Sequence, residues 1–199
     1  MNIHLKSPPQ AARRQSEPAR RSFTADELEQ LVRAGVIHEE ERVELIDGEI
    51  ITMAAKGNRH EIVRSKLSFR WSRQCPDGIM LAQEPAFRLI DHHEPEPDIL
   101  VFPNSLNVPD VRGDTALLVV EVSDTSISYD LKIKAPVYAA FGVREYWVVN
   151  SRTLVTTVHR VPGADGYGDV KDYGPADLIT PLAVPALALR LADLGVDAE

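Results

Sequence analysis

Apolar residues along this chain follow two rhythms. Leu28, Leu31 and Val32 recur at helical spacing, and Thr24 with Glu27 three residues later makes a capping box, so a helix is predicted from Thr24 to Gly35. Ile62, Val63, Leu67 and Trp71 recur likewise among arginines and lysines, which predicts a second helix over 58–74 with Asn58 as its cap. His60 and Arg64, four apart, share one side of it. Other runs have strand character. VELIDGEIITM sets two short apolar runs around Asp47-Gly48, a strong hairpin signal, with Glu44 on the face opposite Leu45. IMLAQEPAFRLI is a strand interrupted near Pro85, hence bulged or at an edge. DILVFP and ALLVVEV are almost wholly apolar, as strands covered on both faces are.

An amphipathic segment over 130–141 comes next, closed by Gly142, with Pro136 shifting or kinking its start. REYWVVN is a further strand, TLVTTVHRV with a Gly-rich turn predicts another hairpin, and DLITPLAVPALALRLADL ends in a short helix. Three helical segments, several hairpins and one strand–helix–strand crossover make the fold class α/β (α+β).

Charge changes this picture because it is uneven. The 199 residues carry a formal net charge of −8. Within 1–22, Lys6, Arg13, Arg14, Arg20 and Arg21 stand against Glu17 alone. A disordered basic tail is therefore expected over 1–22, with one domain over 23–199. The acidic remainder argues against a broad phosphate-tracking surface, yet a carboxylate cluster that binds divalent cations has its local field reversed. No apolar run approaches the roughly 18 residues of a membrane helix, and the N-terminal stretch lacks the apolar core of a secretory leader. A single cysteine, Cys75, leaves a reducing cytoplasm as the simplest home.

The candidate chemistry lies between Glu96 and Asn150. Asp98 opens one apolar strand, and Glu121 interrupts LLVVEV where that strand should be buried, so it needs a partner. Carboxylates gathered at a sheet end repel one another unless a cation sits among them. Asp98, Glu121 and the upstream Glu44 thus suit Mg²⁺, a hard ion that takes oxygen ligands, with Mn²⁺ as its substitute. Asp130, Lys134 and Tyr138 follow at four-residue spacing, which by itself fits a surface ion pair beside a core aromatic. Tyr138 and Trp147 read as core packing. His60 alone on a helix is more often neither base nor ligand, His92-His93 has no zinc-like spacing, and Cys75 has no activating neighbours.

These residues, in this order, resemble the Uma2 family of restriction-endonuclease-like proteins, within the PD-(D/E)XK nuclease superfamily. The pieces that match are VELIDGEI, the helix with His60, EPDILVF, VVEVSDTS, and Asp130–Lys134–Tyr138 leading into GVREYWVV. The resemblance implies a mixed sheet flanked by helices and Mg²⁺-dependent hydrolysis of phosphodiesters, with DNA as the expected partner; a homodimer is one assembly open to the chain. It makes Asp98 and Glu121 the motif acids and Glu44 the upstream acid. The superfamily lysine is expected two residues after the glutamate, where Ser123 stands here; Lys134 on the following helix takes its role, with Lys132 as competitor. The alternative is a catalytically silent nuclease fold used for binding or assembly. Asp98→Asn separates the two, and relief of like-charge repulsion predicts unchanged or improved stability for that variant.

Overall fold

The computed structural model describes residues 21–199, so all but Arg21 and Ser22 of the tail expected over 1–22 lies outside the described residues. Helix α1 (Ala25–Arg33) begins at the expected capping box: the Thr24 side chain accepts from the Glu27 N–H while Glu27 accepts from the Thr24 N–H. A hairpin of β1 (Val43–Ile46) and β2 (Glu49–Thr52) turns at Asp47 and Gly48, with φ of 52° and 71°, the left-handed pair that a two-residue hairpin requires. Helix α2 (Asn58–Gln74) matches its predicted span, but Gly57 is the cap and Asn58 already lies inside; no side chain caps it.

Six strands form the main sheet in the order β3–β4–β5–β6–β7–β8: Ile79–Gln83, Ile99–Pro103, Leu118–Ser123, Glu145–Asn150, Thr156–Gly163 and Gly166–Tyr173. Only β5 and β6 pair in parallel, as the crossover between them demands. The strand predicted from IMLAQEPAFRLI is an edge strand and stops at Gln83, before Glu84 turns to φ 50°. The C-terminal segment forms two short 3₁₀ turns, Pro185–Leu187 and Leu191–Leu194, rather than the expected helix.

Strand alternation divides the core. Ile99, Val101, Leu118, Val120, Val122, Trp147 and Val149 pack beneath α2 through Val63, Leu67 and Trp71. Leu100, Phe102, Val119, Tyr146 and Val148 point the other way, towards Ala135 and Tyr138. Asp98 and Glu121 share the phase of this second set, and the β4–β5 register (Ile99↔Val120, Leu100↔Val119), carried one step on, sets Asp98 across from Glu121.

The crossover is not one regular helix. A single turn, α3 (Ile127–Tyr129), passes into a π-turn over Asp130–Lys134 and then into α4 (Ala135–Ala140). Pro136 has no N–H to bond the Lys132 carbonyl, and the neighbouring Ala135 N–H reaches back five residues to Asp130.

Candidate active site

Glu44 arrives from the hairpin. Leu45 is packed against Ala25 and Leu28 and exchanges backbone hydrogen bonds with Glu94, so the alternate position, Glu44, is turned inwards. Its Oε1 accepts from the Glu96 N–H at 3.1 Å and from Lys134 Nζ at 2.6 Å. The same ammonium donates to Glu121 Oε1 at 2.9 Å, and the Tyr138 hydroxyl donates to that oxygen at 3.2 Å. Lys134 is only 2% exposed, and the Tyr129 ring lies 5.9 Å from its Nζ.

Asp98 is held on both sides. Its Oδ2 accepts from the Val122 N–H at 2.7 Å and lies 3.0 Å from His60 Nε2. Its Oδ1 receives the Lys56 ammonium at 2.5 Å, and Lys56 also reaches Glu84. Burial alone would raise the Asp98 pKa, but the His60 hydrogen bond and the His60 and Lys56 charges outweigh it and hold it at about 2. These contacts stabilise the charge and so work against the relief of repulsion expected for Asp98→Asn.

Glu121 is the opposite case. Burial pushes its pKa well up; Lys134 opposes this, while Asp98, Asp130 and Glu44 push it further. Burial would lower the Lys134 pKa, but Glu121, Glu44 and Asp130 together raise it, so the ammonium stays charged. Asp130 is raised by burial, against Lys134 and its hydrogen bonds from Ser123 and Ser126.

All four residues singled out from the sequence, Glu44, Asp98, Glu121 and Lys134, line one cavity of about 170 Å³. Asp130 lines it too, but it does not pair with Lys134: its carboxylate accepts from Ser126 at 2.9 Å, and both residues are buried. The surface ion pair that spacing suggested is absent because the π-turn redirects both side chains. Lys132 is exposed and lies outside the cavity lining. His60, read from the sequence as neither base nor ligand, touches Asp98, and Lys56 carried no sequence signal because a loop places it. His92 and His93 serve the hairpin: His92 Nδ1 meets the Phe23 carbonyl and His93 Nδ1 accepts from the Asp47 N–H. Trp147 is core, edge-on to Trp71 at 5.8 Å, as expected.

A central sheet that delivers acids from neighbouring strand ends into one cleft, with a lysine from the crossover beside them, defines a restriction-endonuclease-like protein. The Uma2 family model, described as "Putative restriction endonuclease", matches residues 25–192, and the chain belongs to that family. A crystal structure of a "putative nuclease belonging to DUF820" from Anabaena variabilis is similar in fold, with 20% identity, 86% of this chain and 97% of that chain covered, and a TM-score of 0.62. No curated protein matches the chain.

The family implies a divalent metal. Among the described residues no three carboxylate, imidazole or thiol groups already stand as a metal cage. The donor set nonetheless fits a hard cation: Glu44, Asp98, Glu121 and Asp130 are four buried carboxylates beside the ammoniums of Lys134 and Lys56, and Glu44 Oε2 is buried with no hydrogen-bond partner among the described residues. No described helix is long and apolar enough to cross a membrane.

Proposed function

We propose that this chain is a Mg²⁺-dependent endonuclease that hydrolyses phosphodiester bonds, with DNA as its substrate. The observation that carries the reading is the excess of buried carboxylate over ammonium in one cavity, which leaves Glu121 under-neutralised and Glu44 with an oxygen unpartnered. A protein folding around such a deficit gains by admitting a cation. Asp98, Glu121 and Glu44 would hold it. When bound, Mg²⁺ neutralises phosphate oxygens and lowers the pKa of water, with Mn²⁺ able to substitute.

The chain's own groups do the rest. Val122 N–H and His60 fix Asp98, so its charge is aimed without reorganisation. The Tyr138 hydroxyl fixes Glu121. Lys134 keeps its charge, orients the attacking water and offsets the negative charge that grows on the phosphoryl group. A silent binding module is the second reading, favoured by one feature: Lys134 and Lys56 already bridge three of the acids.

The test is a calorimetric Mn²⁺ titration of the wild type and Asp98→Asn, followed by incubation of both with plasmid DNA and Mg²⁺. Saturable Mn²⁺ binding and DNA nicking, both lost in the variant, are expected. Metal binding without nicking turns the balance to the silent module; nicking that survives Asp98→Asn refutes the assignment.

A further inference from the structure

Lys56 belongs to none of the positions discussed for metal or water. It sits in the loop between β2 and α2, beside Gly57, and its side chain is 13% exposed at the cavity wall. Its ammonium has two carboxylate partners, Asp98 and Glu84, and Asp98 Oδ1 has no hydrogen-bond partner besides it among the described residues. The other Asp98 oxygen is already occupied by Val122 N–H and His60. Oδ1 is therefore the oxygen left for a cation, and an ammonium and a divalent cation compete for it.

We propose that Lys56 is a phosphate-binding residue held in reserve on Asp98: cation entry releases its ammonium, which then takes an anionic oxygen of the substrate phosphodiester. This rests on the metal reading of Asp98 given above. Three features support it. Lysine is a flexible four-carbon stem with a point charge, suited to moving between anions. Glu84, the second partner, has a side chain 33% exposed and offers a weaker hold once Asp98 is lost. Phosphate oxygens bring into the cavity the negative charge that the cation has removed, so the released ammonium finds a new counter-charge without leaving the cavity. The exchange couples two binding events: metal costs a lysine contact when it binds alone, and recovers it when phosphate is present. Coupling of this kind is reciprocal.

The experiment uses the full chain, Mn²⁺, and a phosphorothioate DNA duplex that resists hydrolysis. Mn²⁺ is titrated with and without the duplex into wild type, Lys56→Gln and Asp98→Asn. Lys56→Gln alone should bind Mn²⁺ about tenfold more tightly than the wild type, the size of one charge-assisted hydrogen bond. The duplex should tighten Mn²⁺ binding in the wild type and much less in Lys56→Gln. A merely structural lysine does not move these two readouts in opposite directions. Equal Mn²⁺ affinity in wild type and Lys56→Gln, with binding lost in Asp98→Asn, overturns the role of Lys56 and leaves the metal reading standing. No Mn²⁺ binding to any protein, with or without duplex, overturns both. If Lys56→Gln does not fold by circular dichroism, Lys56→Arg takes its place: the guanidinium should preserve the duplex-dependent gain, and its loss overturns the proposal.

Discussion

Replacing Lys134 by methionine removes one charge from the centre of the cavity at little change in length. In the wild type the ammonium lies 2.6 Å from Glu44 and 2.9 Å from Glu121, with side chains exposed by 1% and 5%. Without it two buried carboxylates face each other uncompensated, a loss of about 3–5 kcal/mol for breaking a buried pair from one side. For a chain of 199 residues that lowers Tm by roughly 6–20 °C. The loss must depend on pH, because Glu121 can escape by taking up a proton. Its folded pKa is already raised above the ordinary carboxylate value, and loss of Lys134 raises it further. Between its unfolded and folded pKa the native state holds one proton more than the unfolded state, so stability falls as pH rises, by about 1.4 kcal/mol per unit. The difference between variant and wild type is thus smallest near the ordinary carboxylate value of 4.5 and grows as pH rises above it. Urea and thermal unfolding followed by circular dichroism at about pH 5 and about pH 8 measure it. The double variant Lys134→Met/Glu121→Gln should recover more than half of the loss at the higher pH. An equal deficit at both pH values, or one below about 1 kcal/mol, would refute the claim that this ammonium neutralises a buried acid pair.

Asp98→Asn should cost about 2 kcal/mol at neutral pH, because the carboxyl pKa is about 2 when folded against 3.8 unperturbed; wild-type stability from this source is present above pH 3.8 and lost as pH falls towards 2, which acid titration of the urea midpoint reads. Burial lowers the His159 pKa from 6.5, so the unfolded state binds a proton that the folded state refuses; wild-type stability should drop as pH falls below 6.5, and His159→Phe should flatten that slope in melts across the range. Gly113→Ala should destabilise the fold by about 1–3 kcal/mol in urea titrations, since its new Cβ would collide with the Phe141 backbone carbonyl at the end of α4.

The features legible in the sequence are the local ones. Strand phase fixes which way Glu121 points once LLVVEV is a strand, and the Asp47-Gly48 turn fixes that Glu44 and Leu45 face apart; both were legible. Asp98 was legible as a strand opening, but the groups that hold its charge were not, because Lys56 and His60 come from a loop and a helix far along the chain, and no spacing encodes their approach. The ion pair suggested for Asp130 and Lys134 fails for a definite reason: four-residue spacing pairs side chains only on a regular α-helix, and Asp130–Lys134 is a π-turn. Without the family resemblance, Lys134 would have been left on the surface.

That irregular turn has a consequence for how the lysine came to serve a strand it does not belong to. A π-turn contains one residue more than an α-turn, so it acts as a phase shifter, rotating the helical turn before it by about 100° relative to the one after it. The aim of the charged group is set by residue count as well as by residue type. Trimming or adding one position between Ile127 and Lys134 would rotate the ammonium by about 100° away from Glu44 and Glu121. Chain length in a single crossover is thus a dial on the site, one that turns without changing a single side chain of the sheet.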